Sequence, residues 1–259
     1  MSKISQAFSE GPAFIPFITG GDPDLETTEK LLCALAEAGA DLIEIGIPFS
    51  DPIAEGPVIE AADVRALEAG CTVDALFALV ARARSTVSVP LLFMTYYNPI
   101  FVYGAGRFCA HCAESGISGL IVPDLPFEER DELLGTCKAY GLELISMIAP
   151  TSADERLEAI ARGSSGFLYC VSSLGVTGER SELGDAARGM IEKVRAVSDI
   201  PCAVGFGVST PAQAREIASF ADGVIVGSAF VRIIAEQGSG CVESVTRFAR
   251  ELKQAVAGS

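Results

Sequence analysis

Short apolar runs rich in β-branched residues alternate with longer amphipathic stretches along the whole chain, at roughly 30-residue intervals, and this alternation is what most constrains the fold. Strands are predicted at Ala13–Thr19, Asp41–Gly46, Val89–Thr95, Ser118–Val122, Glu143–Ile148, Gly166–Val171, Cys202–Phe206 and Gly223–Val226. Helix signals fall between them. Asp22 and Pro23 read as N-cap and first helical residue ahead of Leu25, Leu32 and Leu35, with Gly39 as the stop. After the second strand a loop with Pro48, Pro52 and Pro57 leads into helical stretches ending at Gly70 and running from Thr72 to about Ser85. Thr210 and Pro211 open a helix over 212–219, and the chain closes with one from Val242 to about Ala255. Eight βα units predict a parallel (β/α)8 barrel of the TIM type, a single domain over residues 1–259, close to the roughly 250 residues such a barrel takes. A doubly wound open sheet has the same alternation. It lacks support here because no G-x-G-x-x-G follows the first strand, whereas glycine turns follow the seventh and eighth, where barrels bind phosphate.

Charge narrows the partners. Thirty-four acidic residues against 19 basic ones give a formal charge of -15, which offers no footprint for a nucleic-acid backbone or an anionic membrane. The N-terminal Met1–Phe8 segment lacks the apolar core of a signal peptide, and no run of about 18 apolar residues is present, so a soluble, cytoplasmic protein is expected. Cys109 and Cys112 form a C-x-x-C around His111, the only histidine. No second Cys/His pair sits at finger spacing, and Gly106–Gly116 reads as an amphipathic helix, so two half-buried helix cysteines and no metal site are expected.

Chemistry concentrates at one end of the predicted barrel. Alternation in the second strand puts Leu42, Glu44 and Gly46 on one face, and a barrel strand has no watery face. Glu44 therefore sits where desolvation favours its protonated form, near the strand's C-terminal end, as a proton-transfer group or as a carboxylate held by a structural partner. Glu55, in the proline-bounded loop 47–57 with Asp51, would supply a second carboxylate in a different environment, although both loop acids also read as a solvated acidic loop. Gly175–Gly178, Gly205–Phe206–Gly207 and Gly227–Ser228 fall at or after the sixth, seventh and eighth strands. None contains a basic residue. Their backbone N–H groups, with a helix beginning near Ser228, suit a phosphate dianion. Phe17, Tyr96, Tyr169 and Phe206 lie near the same mouth, where they could hold a flat apolar ring. These residues point to an acid/base enzyme acting on a phosphorylated small molecule with an apolar part.

The runs Pro16–Pro23 and Glu44–Pro52, followed by Tyr96–Pro99, Val122–Pro126, Gly175–Gly178, Gly205–Gly207 and Gly227–Ser228, resemble the tryptophan synthase alpha subunit family in order over nearly the whole chain. The resemblance implies retro-aldol cleavage of indole-3-glycerol phosphate to indole and glyceraldehyde 3-phosphate, with Glu44 as the acid/base. Glu55 stands where the family typically has an aspartate that accepts the indole N–H, a departure of one methylene. Gly178, Phe206, Gly207, Gly227 and Ser228 match phosphate-binding positions, and Phe17, Tyr96 and Tyr169 match the pocket lining. The resemblance further implies a beta-subunit partner in an alpha2-beta2 complex, contacted by the loop around Pro48 and Asp51 and by residues 172–189. Pyridoxal phosphate would belong to that partner, and no cofactor is expected in this chain. A free-standing lyase, or an impaired alpha-like chain that only activates its partner, are the competing readings.

Overall fold

The computed structural model describes residues 2–171, 180–205 and 207–258, without the side chains of 180–184. In chain order it runs α1 (Lys3–Gln6), β1 (Ala13–Thr19), α2 (Leu25–Glu37), β2 (Ile43–Gly46), α3 (Pro57–Glu68), α4 (Val73–Ala83), β3 (Leu91–Met94), α5 (Tyr97–Tyr103) and α6 (Ala105–Ser115). It continues with β4 (Gly119–Ile121), α7 (Asp131–Ala139), β5 (Glu143–Ile148), α8 (Asp154–Gly163), β6 (Leu168–Val171) and α9 (Arg180–Arg195). The last elements are β7 (Cys202–Gly205), α10 (Pro211–Ala218), β8 (Gly223–Val226), α11 (Ser228–Gln237) and α12 (Val242–Ala257).

The strands form one closed parallel barrel in sequence order, sealed where β8 pairs with β1 through Ala13 opposite Gly223 and Pro16 opposite Val226. The expected (β/α)8 architecture is thus the observed one. Period-two alternation separates two cores. Ile15, Leu42, Leu92, Ile121, Ile145, Ala203 and Ile225 share a cluster inside the barrel, while Phe14, Ile43, Ile45, Phe93 and Val224 face the helices. Both populations are at most 3% exposed, so a charge among them stands out.

Local chemistry sets several element ends differently from the sequence expectation. β2 begins at Ile43 rather than Asp41, whose N–H still donates to the Phe14 carbonyl at 3.0 Å while its carboxylate acts as a side-chain acceptor. It accepts the Phe14 N–H at 2.7 Å and the Lys253 ammonium of α12 at 2.7–2.8 Å. Asp22 does not cap α2. Its carboxylate, fully buried, takes the Arg65 guanidinium from α3 in a fork of two 2.8 Å hydrogen bonds, and Asp24 is the N-cap, accepting the Thr27 N–H at 2.6 Å. Cys109 and Cys112 are fully buried in the outer core, not half-buried, and the His111 Nδ1 pairs with the Tyr103 hydroxyl at 3.0 Å. The short α1, absent from the sequence expectation, is capped by Ser2 and inserts Ile4 into the interior cluster, beside the starts of β4 and β6.

Candidate active site

The inward-facing positions at the C-terminal ends of β2, β7 and β8 are Gly46, Gly205 and Gly227, and their missing side chains make the room in which a site forms. A Cβ on Gly46 would lie 2.7 Å from the Phe17 ring, and one on Gly227 would lie 3.2 Å from it. A Cβ on Gly205 would lie 2.5 Å from the Tyr169 hydroxyl. Glycine at these positions therefore lets two aromatic rings lie inside the barrel mouth. Above them opens a cavity of about 380 Å³, of the size range of small-molecule sites. Phe17, Met94, Met147 and Tyr169 form its apolar wall, Glu55 and Ile59 approach from the loop after β2 and from α3, and Gly207, Gly227 and Ser228 close the side of β7 and β8.

Glu44 lies beside Phe17 in the strand register and close enough to Tyr169 for its charge to raise that phenol. It is fully buried, and neither carboxylate oxygen has a hydrogen-bond partner among the described residues. Burial pushes its carboxyl well above the usual carboxylate range, which favours the neutral acid. It is not itself part of the cavity wall; its neighbours Phe17 and Tyr169 are. A buried carboxyl with no structural partner, next to a cavity, disfavours the reading of Glu44 as a held structural carboxylate.

Glu55 is half-buried and in a different state. Tyr96, 2% exposed, accepts the Ala54 N–H at 2.8 Å and the Ile53 N–H at 3.1 Å with its hydroxyl oxygen, and its own proton goes to the Glu55 carboxylate. Burial raises the Glu55 carboxyl, the Tyr96 hydrogen bond lowers it, and the charges of Glu60 and Asp124 raise it further. Its Oε2 is buried without a partner, an acceptor aimed at nothing in the protein. Burial and the adjoining Glu55 in turn push Tyr96 up to about 12. Tyr96 thus holds the loop, and Phe49 packs on it at 5.4 Å between centroids. Asp51 turns outward, exposed and bonded to the Ser50 hydroxyl at 2.6 Å, and Ile53 beside it is 81% exposed.

At the opposite side, α11 begins at Ser228 with no side-chain cap, so the first N–H groups of the helix are available to a ligand. Gly207, at φ +57°, reaches the same cavity in the left-handed conformation that glycine adopts readily. Phe206, Gly178 and the rest of Gly175–Gly178 lie outside the described residues. Of the site residues expected from sequence, Phe17, Glu55, Tyr169, Gly207, Gly227 and Ser228 line one cavity, Glu44 adjoins it, and Tyr96 is bonded to its loop. Sequence reading passed over two groups. Arg232 lines the cavity four residues after Ser228, and helical periodicity applied beyond the glycine motif would have found it. Asp63 of α3 is 4% exposed, and burial, the nearby Glu55 and other acids push it up to about 7.

Comparison with known proteins agrees with this geometry. Residues 4–257 match the family model described as the tryptophan synthase alpha chain. The tryptophan synthase alpha chain of Lacticaseibacillus casei is 44% identical over 256 residues, 99% of this chain and 96% of that protein. That of Methanosarcina acetivorans is 48% identical over 263 residues, 99% of this chain and 95% of the other. Among solved structures, tryptophan synthase subunit alpha from Legionella pneumophila superposes with a TM-score of 0.91 at 35% identity, covering 100% of both chains. A structure of Mycobacterium tuberculosis tryptophan synthase superposes with a TM-score of 0.90 at 39% identity, covering 98% of each.

Proposed function

The chain belongs to the tryptophan synthase alpha chain family, whose reaction is the cleavage of indole-3-glycerol phosphate in tryptophan biosynthesis, and from that premise we propose how its residues divide the work. Glu44 is the acid/base. A neutral carboxyl in a dry setting can protonate indole C3, which places positive charge on the ring nitrogen. As a carboxylate it then takes the proton of the glycerol hydroxyl on the adjoining carbon. The bond between indole C3 and that carbon breaks, its electron pair restores the indole ring, and the carbon becomes the aldehyde of glyceraldehyde 3-phosphate. Glu44 ends protonated, as it began. The observation that carries this assignment is the buried Glu44 carboxyl with no partner beside a cavity wall of Phe17 and Tyr169.

Glu55 accepts the indole N–H with its carboxylate, whose Oε2 has no partner in the protein, and offsets the charge that protonation puts on the ring, while Tyr96 positions the carboxylate. Phe17 and Tyr169 hold the indole plane. The phosphate lies on the N–H groups around Gly207, Gly227 and Ser228, joined by Gly178 and Phe206. All 259 residues act as one domain in this reading.

We further infer a beta-subunit partner in an alpha2-beta2 complex, bound on the mouth of the barrel and working in the cytoplasm. The exposed apolar residues Ile53, Phe101 and Val102, 70–81% exposed on the loop after β2 and on α5, support such a contact. Pyridoxal phosphate belongs to that partner. No described helix is long and apolar enough to cross a membrane.

Indole release from indole-3-glycerol phosphate, measured with and without a beta subunit, tests the reading. Slow turnover alone and a large rise with the partner are expected, because loops at the mouth are ordered by contact. Glu44→Gln should abolish cleavage yet leave substrate affinity nearly unchanged, since the amide keeps the shape and exchanges no proton. Near-normal turnover in that variant refutes the assignment.

A further inference from the structure

We propose that Arg232 supplies the cation of the phosphate subsite and sets the preference of the cavity for a doubly charged phosphate end. The proposal rests on the cavity being the substrate site. Among the described lining residues Arg232 is the one cation, in a wall that otherwise carries the carboxylate of Glu55. It follows Ser228 by four residues in α11, so both lie on one face of the helix about 6 Å apart along its axis. The flexible side chain spans that rise. Arg232 forms no ion pair with a described residue, so its guanidinium is not committed to a structural carboxylate.

Charge balance shows why the backbone cradle benefits from it. A helix N-terminus offers the equivalent of roughly half a positive charge, against about two negative charges on the phosphate. The chain adds a net charge of -15, and Glu55 lines the same cavity. A guanidinium on the α11 face turns a weakly attractive end into a clearly positive one, opposite the Glu55 carboxylate that meets the ring. The cavity is then polarised along its length, and a phosphorylated indole compound enters in one orientation.

The test uses the chain in complex with its beta subunit and compares the parent with Arg232→Gln and Arg232→Lys. Glycerol 3-phosphate serves as the probe, by calorimetric titration and as a competitor of cleavage. Loss of the guanidinium should weaken glycerol 3-phosphate binding about tenfold and raise the KM for indole-3-glycerol phosphate by a similar factor, with Arg232→Lys intermediate. The gain in parent affinity between pH 5 and pH 7, as the phosphate takes its second charge, should shrink in Arg232→Gln. Unchanged glycerol 3-phosphate affinity and an unchanged pH dependence in a variant that still cleaves substrate overturn the proposal alone. A parent that neither binds the probe nor cleaves the substrate overturns the reading of the cavity itself.

Discussion

The Tyr169 hydroxyl occupies space that any side chain on Gly205 would claim, because a Cβ there would fall 2.5 Å from the phenol oxygen and 2.7 Å from the ring carbon bearing it. Both residues point into the barrel from paired strands, and β6 and β7 are in register through Tyr169 opposite Ala203. The first glycine of the seventh-strand motif therefore makes room for a ring, a role separate from the phosphate contacts ascribed to its neighbours. Gly205→Ala should push Tyr169 into the cavity or off its rotamer, at a cost of about 1–3 kcal/mol. A fall of at least about tenfold in kcat/KM should accompany it. Urea denaturation and steady-state kinetics read the two effects, and parent-like values for both would mean that the rings have slack the packing does not show.

Tyr96 links the loop to Glu55 through one hydroxyl, accepting from Ile53 and Ala54 and donating to the carboxylate. Tyr96→Phe leaves two loop N–H groups without their acceptor and should cost about 1–3 kcal/mol of stability. It also removes the interaction that lowers the Glu55 carboxyl, so Glu55 should hold its proton to higher pH. If ionised Glu55 is required, the acid limb of the kcat/KM profile moves to higher pH. An unmoved limb would mean that Glu55 is not the group titrating there.

Asp63 gives a stability prediction with a definite sign. Its folded value of about 7 stands above the ordinary 3.8, because burial and the neighbouring Glu55, Asp22 and Glu60 disfavour its charge. Between those two values the folded state binds more protons than the unfolded chain, so this group makes stability fall as pH rises from about 4 to about 7 and adds nothing further above that. Asp63→Asn removes the ionisation and should leave a similar stability near pH 4 while adding roughly 1–3 kcal/mol at pH 8. Urea midpoints at the two pH values decide it. The same increment at both would show that Asp63 does not titrate in this range.

The barrel was legible because each strand is short, apolar and bounded by breakers. β1, β5 and β8 have the limits expected from sequence, the last ended by Gly227. Where an end was misjudged, a residue distant in sequence decided the matter. Asp22 reads as the cap of α2, but Arg65, 43 positions on, takes its carboxylate and Asp24 caps the helix instead. The Asp41 carboxylate is tied to Lys253, 212 positions away. The site followed the same rule. Glu44 was evident from strand parity alone, since an inward carboxylate in a barrel strand has no water to face. The state of Glu55 was not, because it depends on Tyr96, Glu60 and Asp124 converging from the barrel mouth and α3. Arg232 lies outside the glycine motifs, yet an α-helix returns to the same face four residues after Ser228 and so brings it to the cavity.

Glu55 poses the sharpest question, because it reaches the cavity with one methylene more than the aspartate typical of the family. Its longer side chain sits in the cavity wall, where the Tyr96 hydroxyl interacts with its carboxylate and Oε2 is buried without a partner. Stabilising charge on the indole ring needs the carboxylate itself, while its reach is a matter of geometry that the loop can adjust. Glu55→Ala should therefore lose cleavage by at least about a hundredfold, and the loss should fall on kcat, since the charge it offsets arises only in the transition state. Glu55→Asp should hold or raise turnover, limited by how far the loop moves to restore the Tyr96 contact. Burial already holds the Glu55 carboxyl above its ordinary value, so the parent should lose activity on acidification at higher pH than an exposed glutamate would dictate. In Glu55→Asp that limb should lie at lower pH, as befits the more acidic side chain. Indole release by the three proteins at matched saturation with the beta subunit, with circular dichroism as a check of folding, measures all of this. Equal rates for the parent and the alanine variant would remove this carboxylate from the chemistry and leave the charge on the ring to be met by another group.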